Sequence, residues 1–156
     1  MKRISIFIAL LLWLTPAMSR AGAADIYPDP AQAKTDIAQA MRQAAAGYKR
    51  VLVDFGGNWC GDCKMLDIEM HQGDLARLVN DRLVVVKVDV GRFDKNLDVV
   101  DRYGKILKNG VPSVALLRSD GTVVYQTDGG ELADARKMGR EGVTKFFVAM
   151  LDKAKK

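Results

Sequence analysis

The chain alternates short, nearly continuous apolar runs with longer stretches whose apolar residues recur every three or four positions. Ala31 to Ala46 is rich in Ala and Gln and places Ile37 and Met41 four apart, which predicts a helix stopped by Gly47. Val51 to Phe55 is apolar apart from Asp54, and a run this short with β-branched residues predicts a buried strand. Gly56-Gly57-Asn58 follows as a loop. Trp59 to His71 has helical character with its N-terminus at or near Cys60, and Gly73 to Asn80 has room for a further short helix. Leu83 to Val90 is the clearest strand. Asp94 to Tyr103 suits a helix ended by Gly104. Val111 to Leu117 reads as a strand with Pro112 near its start. Ser119-Asp120-Gly121 is a tight turn, and Thr122 to Gln126 completes a hairpin. Residues 128–142 carry Gly129, Gly130, Gly139 and Gly142 around a short helix from Glu131 to Met138. A final amphipathic helix, Val143 to Lys153, turns Phe146, Phe147, Met150 and Leu151 inward. The order α-β-α-β-α-β-β-α predicts an α/β domain, a central mixed sheet with helices on both faces.

The start of the chain has a different pattern. Met1-Lys2-Arg3 is basic, Ile4 to Leu14 is apolar apart from Ser5, and Ala21-Gly22-Ala23 fits a small-x-small cleavage site. Residues 1–23 therefore read as a cleaved export signal, leaving one domain over 24–156 in the periplasm or outside the cell. The alternative is a retained membrane anchor, but the apolar run is roughly half the ~20 residues a spanning helix needs. No later stretch is apolar enough to span a bilayer, so no stable membrane insertion is expected after the signal is removed.

Composition narrows the function. Of 24 basic side chains, Lys2, Arg3 and Arg20 lie in the signal, which holds no acid; the remaining 21 face 19 acidic ones, a net charge of +2. Without a clustered basic patch, nucleic acid is not an expected partner. The chain has two cysteines, Cys60 and Cys63, and one histidine, His71. A bridge over two intervening residues restrains the unfolded chain little, so the pair points to redox chemistry rather than stapling. A structural zinc site takes four Cys or His ligands, more than this chain supplies.

Cys60-Gly61-Asp62-Cys63 at a helix start, just after a buried strand, is a specific arrangement. Free backbone N–H groups and the helix dipole favour an anion at the first thiol, which should depress it below the ordinary value of about 8.5. The second thiol, at i+3, is close enough to form a disulfide. Cys60 is thus assigned as the exposed nucleophile and Cys63 as the resolving thiol; the bland alternative is a pair of buried, inert cysteines. Asp54 in a buried strand is costly unless paired or protonated, and burial should raise its pKa.

The segment Val-Leu-Val-Asp-Phe-Gly-Gly-Asn-Trp-Cys-Gly-Asp-Cys-Lys-Met-Leu (51–66) resembles the active-site segment of thioredoxins, and Gly110-Val111-Pro112-Ser113 resembles their cis-proline loop. The pattern covers roughly residues 31–153 and looks most like small exported thioredoxin-like proteins, some labelled disulfide isomerases. The resemblance implies a thioredoxin-like fold and exchange of disulfides with protein substrates, with no cofactor and a membrane-embedded electron donor. It implies that Asp54 moves protons for Cys63, that Lys87 lies near Asp54, and that Trp59 shields the thiols. It also implies that Val111 and Pro112, with Gly61 and Asp62, border the bound substrate. Each has a plainer alternative: a hydrogen-bonded structural Asp54, a snorkelling Lys87, a packing Trp59, a trans Pro112 in a turn.

Asp62 departs from the family, which carries proline there. A carboxylate opposes a neighbouring thiolate, so a relatively reducing pair is expected. The segment 105–110 and the insertion 128–142 are further departures, and either could border the active-site face or be an idle surface loop. Two other functions remain on the sequence alone. An isomerase of the same fold would need a persistent Cys60 thiolate. A copper carrier would use the thiols as soft ligands, but such carriers of this fold add a distant His, and His71 is poorly placed.

Overall fold

The computed structural model describes residues 25–155, so the signal predicted over 1–23 lies outside the described residues. Four strands, β1 (Arg50–Gly56), β2 (Leu83–Asp89), β3 (Ser113–Leu117) and β4 (Val123–Gln126), pair in the order β2-β1-β3-β4. The β1–β2 pair is parallel and the other two are antiparallel, so the sheet is mixed. Central strand β1 is covered on both faces, which explains an apolar run interrupted only by Asp54. Val51 to Phe55 are all fully buried, Asp54 included.

Helix α1 (Ala33–Gly47) lies on one face of the sheet with the single-turn α4 (Leu97–Val100). On the other face lie α2 (Gly61–Met70), α3 (Gly73–Arg82) and α5 (Ala135–Lys153). The pleat divides β1 between the two cores: Val51, Val53 and Phe55 face α1, and Leu52 faces α2, α3 and α5.

Local differences from the sequence reading have identifiable causes. Helix α1 runs through Gly47 and ends where the exposed Tyr48 turns left-handed, φ 54°. The helix expected over Asp94 to Tyr103 shrinks to Leu97–Val100 and a 3₁₀ turn, because Phe93 and Asn96 both have positive φ. Strand β3 starts at Ser113, after Pro112, which has no N–H for the ladder. The two helices expected after residue 130 form one element, broken at Gly139 by φ 61° and ψ −177°.

Candidate active site

Cys60 is the N-cap of α2, with extended backbone, and its Sγ accepts the Cys63 backbone N–H at 3.1 Å. That hydrogen bond would support a Cys60 thiolate as directly as the helix dipole does. Cys63 lies one turn along, and the two sulfurs are joined as a disulfide with their Cα atoms 5.2 Å apart. Cys63 is 0% exposed and Cys60 only 5%. The expectation of a freely exposed nucleophile is thus corrected for the oxidised form: Cys60 is buried, flanked in sequence by the exposed Trp59 and Gly61.

Cys60 Sγ lies 3.7 Å from the Val111 carbonyl oxygen. The Val111–Pro112 peptide bond is cis, and both residues are buried. Trp59 is held by the loop after β2. Its indole N–H donates to the Gly91 carbonyl at 2.6 Å, Phe93 packs edge-on at 5.9 Å, and the Arg92 guanidinium lies 5.5 Å from the ring.

Beneath the disulfide is a buried polar cluster. The register of β1 and β2 sets Asp54 opposite Lys87, and Lys87 Nζ donates to Asp54 Oδ2 at 3.0 Å. The same ammonium lies 3.0 Å from Asp67 Oδ1 of α2. Burial acts to lower the Lys87 pKa, but the charges and hydrogen bonds of Asp54 and Asp67 outweigh it and leave the ammonium raised. Sequence reasoning missed both Asp67 and the remaining partner, Tyr27. Tyr27 donates its hydroxyl to Asp54 Oδ1 at 3.0 Å. Its backbone is pinned by Asn58 of the active-site loop, whose Oδ1 accepts the Ile26 and Tyr27 N–H groups at 2.9 Å. Burial first, then the Asp54 charge, pushes the Tyr27 phenol well above its usual value, so it remains a donor throughout the neutral range. Gly56 lets this layer meet the disulfide: a Cβ there would lie 2.2 Å from the Tyr27 hydroxyl oxygen and 2.9 Å from Cys63 Sγ.

Asp62, on the first turn of α2, is also paired, by a residue the sequence reading did not single out. Arg136, from α5, donates Nε to Asp62 Oδ1 at 3.2 Å and Nη2 to Oδ2 at 3.0 Å, and its backbone N–H adds a third bond at 3.0 Å. Hydrogen bonds from the Arg136 side chain hold the Asp62 carboxyl below its ordinary value. The view of Asp62 as a bare carboxylate opposing the thiolate is corrected accordingly. A helix-start carboxylate between two cysteines calls for a cation, and that was the available signal.

The insertion 128–142 is packed into the fold. Leu132 and Ala135 are fully buried. Asn109 Nδ2 donates to the Gly129 carbonyl at 2.9 Å, and Arg140 Nε reaches Glu69 of α2 at 3.0 Å. Gly129 has φ 88°, and a Cβ there would fall 2.8 Å from the Ile106 carbonyl oxygen, so the insertion and the 105–110 segment touch backbone to backbone. His71 caps the far end of α2, with Nδ1 2.7 Å from the Asp67 carbonyl. It lies eight residues past Cys63, about 12 Å along the helix axis.

Comparison with known proteins agrees with this geometry. Residues 32–119 match the thioredoxin-like family profile. The chain belongs to the thioredoxin-like family. The crystal structure of disulphide isomerase from Xylella fastidiosa Temecula1 is similar, with 38% identity, 83% of this chain and 99% of that chain covered, and a TM-score of 0.78. Thioredoxin-1 of Drosophila yakuba is 37% identical over 79 residues, 51% of this chain and 66% of that protein. Thioredoxin of Bacillus subtilis (strain 168) is 35% identical over 79 residues, 51% and 67%. The chain thus spans about two thirds of the length of those thioredoxins. With the cysteine pair at disulfide distance, this is the centre of a thioredoxin-like thiol–disulfide oxidoreductase.

Proposed function

We propose that this thioredoxin-like protein reduces disulfides in exported proteins, with Cys60 as the attacking sulfur. One observation carries the reading: Cys60 Sγ caps α2, accepts the Cys63 N–H at 3.1 Å and lies 3.7 Å from the Val111 carbonyl. An extended substrate would lie along Val111 and Pro112, against Trp59, Gly61 and Asp62.

In the dithiol form the Cys60 thiolate attacks a substrate disulfide. A mixed disulfide forms, and the other substrate sulfur leaves as a thiolate and is protonated. Cys63 gives up its proton toward Asp54, held by Lys87, and attacks Cys60 Sγ. The internal disulfide forms, the second substrate sulfur leaves, and two electrons have passed to the substrate. A dithiol donor must then restore the enzyme, and an exported setting favours a membrane-embedded one. The basic start, apolar run and Ala21-Gly22-Ala23 support export to the periplasm or beyond. Among the described residues no helix is long and apolar enough to cross a membrane.

The reducing direction follows from charge. With Arg136 answering Asp62, the two residues between the cysteines present no net cation to favour the reduced form, as strong oxidants do. A second reading, disulfide isomerase, is favoured by the similarity to the Xylella protein of that name. Insulin reduction run beside refolding of a scrambled disulfide protein separates them. Fast insulin reduction with little unscrambling supports the reductase, and the reverse supports the isomerase. Activity in neither assay removes both.

A further inference from the structure

The insertion brings one cation to the two residues between the cysteines. Arg136 is 74 positions from Asp62 in sequence, yet it makes both side-chain bonds of a bidentate pair and a backbone bond to the same carboxylate. A Cβ on Gly61 would lie 3.3 Å from the guanidinium carbon, so the charge also rests against the residue that follows Cys60. Asp62 keeps only 13% of its side chain exposed, and Arg136 keeps 63%.

We propose that Arg136 is a positioning residue, supplying from the 128–142 insertion the counter-charge that cancels Asp62 beside the Cys60 nucleophile. The inference rests on Cys60 being the attacking sulfur. Asp62 alone would discourage a thiolate two residues away, and Arg136 alone would encourage one. Together they leave the helix start and the Cys63 N–H to set its reactivity. Of the other charged groups around the site, Lys87 is shared by Asp54 and Asp67 and Glu69 pairs with Arg140; Lys137 pairs with Asp134 and adds a weaker positive charge toward Asp62, and Lys64 follows Cys63 on the exposed side of α2. Arg92 lies over the Trp59 ring.

The test is the pH dependence of Cys60 alkylation in the reduced protein, mapped by mass spectrometry, together with the equilibrium of the pair against glutathione. Arg136→Gln is expected to lower the alkylation rate at pH 7 by about threefold or more, as an uncancelled Asp62 charge disfavours the thiolate, and to make the pair more reducing. Asp62→Asn is expected to shift both readings the opposite way, and the double variant to return near the unaltered protein. Arg136→Lys should retain most of the effect through charge alone. A Cys60 titration unmoved by Arg136→Gln, or moved in one direction by both single changes, overturns the proposal. Should Arg136→Gln fail to fold, Asp62→Asn decides alone: a rise in Cys60 reactivity supports the counter-charge, and no change or a fall overturns it. Insulin reduction by the unaltered protein is a separate readout, so failure of the reductase reading stays distinguishable.

Discussion

The Tyr27 hydroxyl donates to Asp54 Oδ1 at 3.0 Å, tying the segment ahead of the first helix to the central strand beneath the disulfide. Lys87 occupies the other carboxylate oxygen. Both oxygens of a fully buried Asp54 are therefore satisfied, as a buried carboxylate requires.

Tyr27→Phe removes one of those donors without changing the packing of the ring. Loss of a hydrogen bond to a buried charge is expected to lower stability by about 1–3 kcal/mol. Urea unfolding monitored by circular dichroism should show a lower midpoint with an unchanged slope. An unchanged midpoint would mean the contact contributes nothing.

Asp54→Asn keeps the shape and removes the base. Attack by Cys60 should be little altered, whereas release of the mixed disulfide through Cys63 should slow by about 10²-fold, the lower range for a positioned acid–base group. Stopped-flow mixing with a disulfide peptide separates the two phases. Equal rates in both proteins would leave Asp54 with a structural role only.

The Asp62–Arg136 pair gives a pH signature. The Asp62 pKa is lowered in the folded protein, so its stabilisation is present above the unfolded carboxyl value, about 3.9, and is lost as pH falls through the lower folded value. At pH 7 Arg136→Gln should lower Tm by a few degrees at most, because the solvent-exposed guanidinium is well screened. The gap should narrow between pH 4 and pH 2. Melting curves at both ends check it, and a gap that widens in acid contradicts the sign.

Gly129→Val tests the seam between the insertion and the 105–110 segment. Positive φ and a Cβ position 2.8 Å from the Ile106 carbonyl oxygen both oppose a side chain there. A loss of about 2 kcal/mol or more is expected, from left-handed strain and backbone displacement. A value near zero in urea unfolding would show that the seam yields easily.

Much of this architecture was legible because its signals are local. The runs 51–55 and 83–90 read as strands, and the register of their parallel pairing sets Asp54 against Lys87. The loop 56–58 and the C-x-x-C spacing placed Cys60 at a helix start. The parts that were not legible depend on distant residues. Tyr27 reaches Asp54 across 27 positions and Arg136 reaches Asp62 across 74, and no periodicity encodes either contact. Segment 94–103 misled because its composition suits a helix, whereas left-handed Phe93 and Asn96 confine the helix to one turn.

Capture of a disulfide peptide by single-cysteine variants tests the central assignment most directly. Reduced Cys63→Ser, mixed with an oxidised peptide at pH 7, should accumulate a mixed disulfide located at Cys60 by mass spectrometry, while Cys60→Ser should accumulate almost none. Capture by Cys60→Ser equal to or greater than that by Cys63→Ser would contradict the account.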